Sequence, residues 1–229
     1  MRHKLGRLAG LLLLALTPLG AAQAAERVAT AIVFAVDVSG SVNTERYELQ
    51  RAGIAAIFAD VALEQILADG LAVALMEWSD GHAVAVPWTI LHTRAQAQAL
   101  ARRIAAVPRT PGFSTELSLA LLAAADLLDA CPCAAGNRVI DLSGDGSNNG
   151  PMSTNLARDE VVARGIRING LPIVTPAEPG VAEWYSTNVV GGDGAFMEVA
   201  NGYEDFARAM RRKFLLEVAE LGRIPGSRD

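Results

Sequence analysis

The stretch Asp37-Val38-Ser39-Gly40-Ser41 closes the apolar run Ala31-Ile32-Val33-Phe34-Ala35-Val36. A run of this length, rich in branched and aromatic residues, predicts a strand buried on both faces. Asn43-Thr44-Glu45 follows as a helix-start signal, ahead of a helical apolar pattern. One acid and two hydroxyls therefore sit on the turn where a buried strand ends, the edge at which open α/β sheets bind ligands. Asp37, Ser39 and Ser41 alternate, so an extended turn can point three oxygens the same way. Two readings fit the pentapeptide by itself. Clustered hard oxygens suit a hard cation such as Mg²⁺, which one carboxylate and two hydroxyls neutralise only in part, leaving it electrophilic towards another acid. Alternatively, Asp and Ser simply bond nearby backbone within the turn.

Outward from this point, strand and helix patterns alternate. A helix is predicted over residues 47–67, with Ile54, Ile57, Phe58 and Val61 on one face, ended by Asp69-Gly70. Residues 71–78 and 83–91 read as a hairpin around Ser79-Asp80-Gly81-His82, and Pro87 puts the second strand at an edge. Further helices are predicted over 94–107, 114–130 and 155–164, the second apolar nearly all round and so well buried. Strands are predicted over 138–142, 166–174 and 195–199, and a short helix around Trp184-Tyr185. Asn201 and Glu204 form a capping-box-like start to a last helix. That helix carries Phe206, Met210, Phe214 and Val218 on one face, with Arg211, Arg212 and Lys213 read as solvated. The whole predicts an α/β, Rossmann-like three-layer sandwich: a mainly parallel central sheet with one antiparallel edge strand and helices on both faces.

Arg2, His3, Lys4 and Arg7, then a Leu-rich stretch over 8–19 and the small residues Ala22-Gln23-Ala24, have the form of a signal peptide over residues 1–24. Cleavage there leaves residues 25–229 as one exported domain, periplasmic or extracellular, with a loose tail over 222–229 and no later membrane span. The formal net charge is −5, and an acidic chain without a basic run is a poor nucleic-acid binder. Cys131 and Cys133 flank Pro132. In an oxidising compartment a local disulfide or free thiols rank ahead of a soft-metal pair, which would need more N or S ligands.

Three segments matter together: Asp37-x-Ser39-x-Ser41, Thr115 at a helix start and Asp145 after a buried strand. The combination resembles the von Willebrand factor A-type (integrin inserted-domain-like) family, whose metal-ion-dependent adhesion site has Asp-x-Ser-x-Ser, then Thr, then Asp. Thr115 is matched through the Ala120-Leu121 that follows it, with Ser114 as a competing hydroxyl. Asp145 is matched within Ser143-Gly144-Asp145-Gly146, Gly144 standing where the family usually has Thr. More narrowly the chain resembles secreted bacterial single-domain members of unknown function, in Val139 to Gly146 and in Gly191 to Phe196. The resemblance implies that Asp37, Ser39, Ser41, Thr115 and Asp145 hold Mg²⁺ or Mn²⁺. It also implies that the ion's open position takes an acidic residue of a protein partner. Asp141, inside its strand, reads as structural. The three turns are expected at the surface.

The leading function is thus an exported, metal-dependent protein-binding module and not an enzyme, since no complete nucleophile–base–orienter set is visible. The alternative is a Mg²⁺-dependent hydrolase or phosphatase on a Rossmann-like fold. Against it, Ser39 stands where a haloacid-dehalogenase-like phosphatase needs its second acid, and no Gly-x-Ser-x-Gly elbow surrounds Ser39.

Overall fold

A computed structural model describes residues 25–221. The expected signal peptide over 1–24 and tail over 222–229 lie outside the described residues. Six strands form one sheet: β1 (Glu26–Asp37), β2 (Leu71–Trp78), β3 (His82–Leu91), β4 (Cys133–Gly144), β5 (Arg167–Val174) and β6 (Ala200–Asn201), in the order β3-β2-β1-β4-β5-β6. All neighbours are parallel except β2 and β3, so the antiparallel edge strand holding Pro87 lies where it was expected. The β2–β3 ladder shifts register between Val73 and Leu75 and again between Leu75 and Met76.

The alternation of β1 builds both cores. Ile32, Phe34 and Val36 point into one layer with the helices α1 (Thr44–Ala59), α3 (Arg94–Ala105) and α7 (Phe206–Leu221). Ala31, Val33 and Ala35 point into the other, against α4 (Leu117–Asp129), α5 (Thr154–Ala163) and α6 (Val181–Asn188). Every residue of β2 is buried too, Glu77 included, which is why these strands read as nearly continuous apolar runs. The small alanines of β1 accept the equally small Ala120, Ala124 and Ala125 of α4, allowing helix and sheet to pack closely. The chain runs from β1 to β2 on one side and returns to β4 on the other. The carboxyl end of β1 is therefore the switch point of the sheet, where a crevice opens.

Several local expectations are corrected. The helix predicted over 47–67 begins at Thr44 and stops at Ala59, because Asp60 is extended and its carboxylate accepts from the Ala62 amide. A 3-10 turn, Val61–Leu63, and the one-turn α2 (Glu64–Leu67) follow. The side chain of Asp60 competes with the helix ladder for backbone donors. β4 begins five residues before Arg138, because β1 itself reaches back to Glu26 and gives Cys133, Ala134 and Ala135 partners that their weak strand propensity does not advertise. The strand predicted over 195–199 is irregular. The Phe196 amide bonds the Asn169 side chain, and regular pairing starts only at Ala200. Asp205, not Glu204, accepts from the Asn201 amide. Cys131 and Cys133 are joined in a disulfide. Among the described residues, no helix is long and apolar enough to cross a membrane.

The basic face of α7 is the largest correction. Arg211 and Arg212 are exposed, but Lys213 is fully buried. Its Nζ lies 2.6 Å from Asp141 Oδ2, and it donates to Glu217 Oε1 at 2.5 Å. Asn169 Nδ2 donates to the same Glu217 oxygen at 2.7 Å. Asp141 is buried, as expected for a structural acid, and Lys213, next to Phe214 and one turn after Met210, falls on the same buried side of the helix.

Candidate metal site and its relatives

The five singled-out residues arrive from three turns at the carboxyl edge of the sheet. Asp37 ends β1, and its Oδ1 accepts from the Ser39 amide at 2.7 Å, which folds the turn back on itself. Ser39 Oγ and Ser41 Oγ are 3.3 Å apart, and Ser41 Oγ donates to Asp145 Oδ1 at 2.5 Å. Thr115 enters from the loop before α4. Its amide donates to Asn149 Oδ1 at 2.8 Å, and its carbonyl accepts from the Asn149 amide at 3.0 Å, tying the second turn to the third. Thr115 Oγ1 faces Gly146, the residue after Asp145, at van der Waals distance from where a Cβ would be. Ser114, the competing hydroxyl, is turned away: its Oγ donates to Glu116 and its carbonyl accepts from Ser79 Oγ.

The turns are less exposed than expected. Asp37, Ser39, Thr115 and Asp145 are buried, and of the five residues only Ser41 opens to solvent. Burial has an electrostatic consequence. Loss of water pushes the Asp37 carboxyl up to about 7, with hydrogen bonds from Ser39 pulling the other way and the charge of Asp145 adding to the rise. Asp37 Oδ2 has no hydrogen-bond partner. A buried carboxylate oxygen left without a donor, beside a second carboxylate, is a costly arrangement that a cation would relieve. The donor set, two acids and three hydroxyls, is all hard oxygen and fits Mg²⁺ or Mn²⁺ rather than a soft metal. Among the described residues no cluster of three or more His, Cys, Asp or Glu stands ready for a metal. Serine and threonine oxygens must therefore complete any site here.

Four neighbours were not singled out from the sequence. Arg46, on the first turn of α1, donates to the Ser41 carbonyl at 2.7 Å and lies 3.5 Å from Asp145 Oδ2. Gln50, one turn further on, donates to the Asp37 carbonyl and accepts from Ser143 Oγ, bridging the ends of β1 and β4. Tyr203 stacks under the Arg46 guanidinium, 5.0 Å from ring centroid to Cζ. Tyr185 of α6 is fully buried, and its hydroxyl has no partner. The i, i+4 spacing of Arg46 and Gln50 after the acid-hydroxyl turn was the available signal for the first two. For the tyrosines, which come from distant parts of the chain, there was none.

Tyr185 explains the glycine at position 144. A Cβ on Gly144 would stand 2.7 Å from the Tyr185 hydroxyl, 2.9 Å from Asp37 Oδ2 and 3.1 Å from Trp78. The space that a threonine would use is thus occupied by the phenol. Gly144→Ala should cost about 1–3 kcal/mol of stability by overpacking. Adding Tyr185→Phe should return part of that loss, a non-additivity measurable in urea unfolding. Equal losses with and without the hydroxyl would show that Tyr185 is not the obstruction.

A cleft of about 370 Å³ lies at the opposite edge of the sheet, lined by residues such as Arg138, Arg167 and Asp193. None of the five residues reaches it.

The central sheet with one antiparallel edge, helices on both faces and an Asp-x-Ser-x-Ser turn at the switch point have the fold of a von Willebrand factor A-type domain. Over residues 27–222 the chain matches the family described as "Protein of unknown function (DUF1194)", and it belongs to that family. No curated protein sequence matches it. Among solved structures it is similar to the hypothetical protein BatB from Bacteroides thetaiotaomicron (TM-score 0.63, 13% identity, covering 85% of this chain and 99% of that one). It is also similar to a von Willebrand factor type A protein from Catenulispora acidiphila (TM-score 0.55, 17% identity, 85% and 43%). A third is proximal thread matrix protein 1 from the mussel byssus, in a structure described as having a zinc-occupied MIDAS motif (TM-score 0.61, 17% identity, 85% and 47%). The chain spans about half the length of the mussel protein. At such identities the likeness is one of fold.

Proposed function

We propose that the protein is an exported, metal-dependent protein-binding module. Asp37, Ser39, Ser41, Thr115 and Asp145 hold one Mg²⁺ or Mn²⁺, and a partner supplies an acidic residue to the ion. The observation that carries this reading is Asp37 Oδ2: fully buried, without a donor, and facing a second carboxylate across a cluster of hydroxyls. A cation bound there offsets both acids at once and, with only two anionic ligands, keeps affinity for a third. Ser39 and Ser41 supply neutral oxygens. Arg46 fixes the Ser41 carbonyl, and Gln50 holds the ends of β1 and β4 together, so the donors are pre-positioned. The zinc-occupied motif of the mussel protein of the same fold is consistent with a divalent ion at this edge. The signal-like residues 1–24 support export, as does likeness to a pilus adhesin, SpaC from Lactobacillus rhamnosus GG.

Calorimetric titration tests the site directly. The wild type should bind Mg²⁺ or Mn²⁺ with one-site stoichiometry. Asp37→Ala should abolish binding at millimolar metal, and Ser39→Ala should weaken it on the order of tenfold by removing one neutral ligand. A wild type that takes up neither ion would defeat the assignment.

A further inference from the structure

Phe113 stands apart from every other large apolar residue near the site. Its side chain is 82% exposed, yet its backbone is fixed on both sides. The amide donates to Asp80 Oδ1 at 2.9 Å, and the carbonyl accepts from the Gly40 amide at 3.0 Å. Gly40 lies between Ser39 and Ser41, so the backbone of Phe113 is anchored directly to the turn that carries two of the five oxygens. A Cβ on Gly40 would come within 3.0 Å of the Phe113 carbonyl, which makes glycine part of this docking. The loop is held from below as well: Ser79 Oγ donates to the Ser114 carbonyl, and the Glu116 amide donates to the Ser79 carbonyl.

Across the site, the third turn is tied to Thr115 and leads to two more exposed apolar side chains, Met152 and Leu156. Leu119, on the first turn of α4, is a fourth. The same edge presents Arg46, a half-exposed cation beside Ser41 and Asp145. Exposed apolar groups gathered around a charged centre resemble the anchors of a binding surface more than the scattered apolar residues of an ordinary one.

We propose that this edge binds a protein segment in which the acidic residue is flanked, within one or two positions, by a large apolar side chain that packs on Phe113. The inference rests on the metal-site reading above and narrows its partner. Charge complementarity selects the acid, because the bound ion and Arg46 are both positive. The ring on this fixed backbone selects its neighbour, since the loop carrying it loses little backbone freedom on binding and the aromatic offers a large apolar face.

The test is selection from a random linear-peptide library displayed on phage, against the purified protein loaded with Mg²⁺. Enriched peptides should pair Asp or Glu with a nearby Leu, Ile, Met, Phe or Trp. A synthetic peptide of that consensus should bind Phe113→Ser on the order of tenfold more weakly than wild type. Val61→Ser, at an exposed apolar position in the 3-10 turn that follows α1, should change nothing. Phe113→Ser should retain the wild-type metal affinity and melting temperature, because the ring is in solvent. Acidic peptides released by chelator but indifferent to Phe113→Ser, or lacking an apolar neighbour, would overturn this proposal and leave the metal site standing. Peptides that bind equally well in chelator would overturn the site reading itself. A selection that enriches nothing on metal-loaded protein would overturn the proposal as well.

Discussion

Replacing Lys213 with Met should destabilise the protein by about 3–5 kcal/mol, a large share of a domain's total stability. Lys213, Asp141, Glu217 and Asn169 are all buried to 1% exposure or less. One ammonium serves two carboxylates, at 2.6 Å and 2.5 Å. Burial drives the Asp141 carboxyl up, Lys213 pulls it down and Glu217 pushes it up again. The net result is an acid held above its ordinary range. Without the ammonium, both carboxylates face an apolar interior with no counter-charge, and Asp141 Oδ1 and Glu217 Oε2 have no hydrogen-bond donors to fall back on. The triad of Lys213, Asp141 and Glu217 joins β4 to α7, and Asn169 ties it to β5, so its loss loosens the C-terminal helix from the sheet. Urea unfolding should show a lower midpoint with an unchanged slope. Adding Asp141→Asn and Glu217→Gln to Lys213→Met should recover much of the loss, since the uncompensated charges are then gone. A single-variant loss below about 1 kcal/mol would mean that the triad contributes far less than a buried ion network should.

Asp37→Asn should separate binding from stability. In chelator the variant should be more stable than wild type at neutral pH, by about 2–4 kcal/mol. The sign follows from the raised acid. An aspartate whose carboxyl is near 3.8 when unfolded and about 7 when folded keeps its proton longer in the fold. Its contribution is complete below the unfolded value and is lost as pH rises through the folded one, because the unfolded state has then released a proton that the folded state still holds. The advantage of Asn over Asp should therefore grow between about pH 4 and pH 7 and level off above. Mg²⁺ should reverse the order: it stabilises the wild type, whose two acids it offsets, and leaves the variant unchanged. Thermal melts of both proteins across pH, with and without Mg²⁺, give all four curves. A variant that melts below wild type in chelator at pH 7 would show that Asp37 is stabilising as a charge. The buried, undonated Oδ2 would then need another explanation.

The sheet was legible because burial on both faces leaves a direct mark in composition. β2 was readable to the residue, and β1 and β5 through their apolar centres, since a strand covered by helices admits little else. The hairpin was legible through its turn, and the edge position of β3 through Pro87. The short spacing Asp37-x-Ser39-x-Ser41 located the candidate site, because three alternating oxygens on one turn form a local pattern. Thr115 and Asp145 were found only through a resemblance, although the structure does bring both to the same edge.

What the sequence by itself determined is local or periodic: the runs that form the sheet, the helix starts, the turn carrying the acid and hydroxyls, and the nearness of Cys131 to Cys133. The tertiary structure alone decided how groups far apart in the chain share space. It buried Asp37, Ser39 and Asp145 where their turns suggested solvent. It set Lys213 against Asp141, 72 positions away, although its neighbours Arg211 and Arg212 are exposed. It filled the space beside Gly144 with Tyr185 and left Phe113 bare beside Gly40. A residue's type constrains its own backbone and its near neighbours. Its dielectric surroundings and its partners are set by whatever the fold places against it, and for a buried charge those decide the energy.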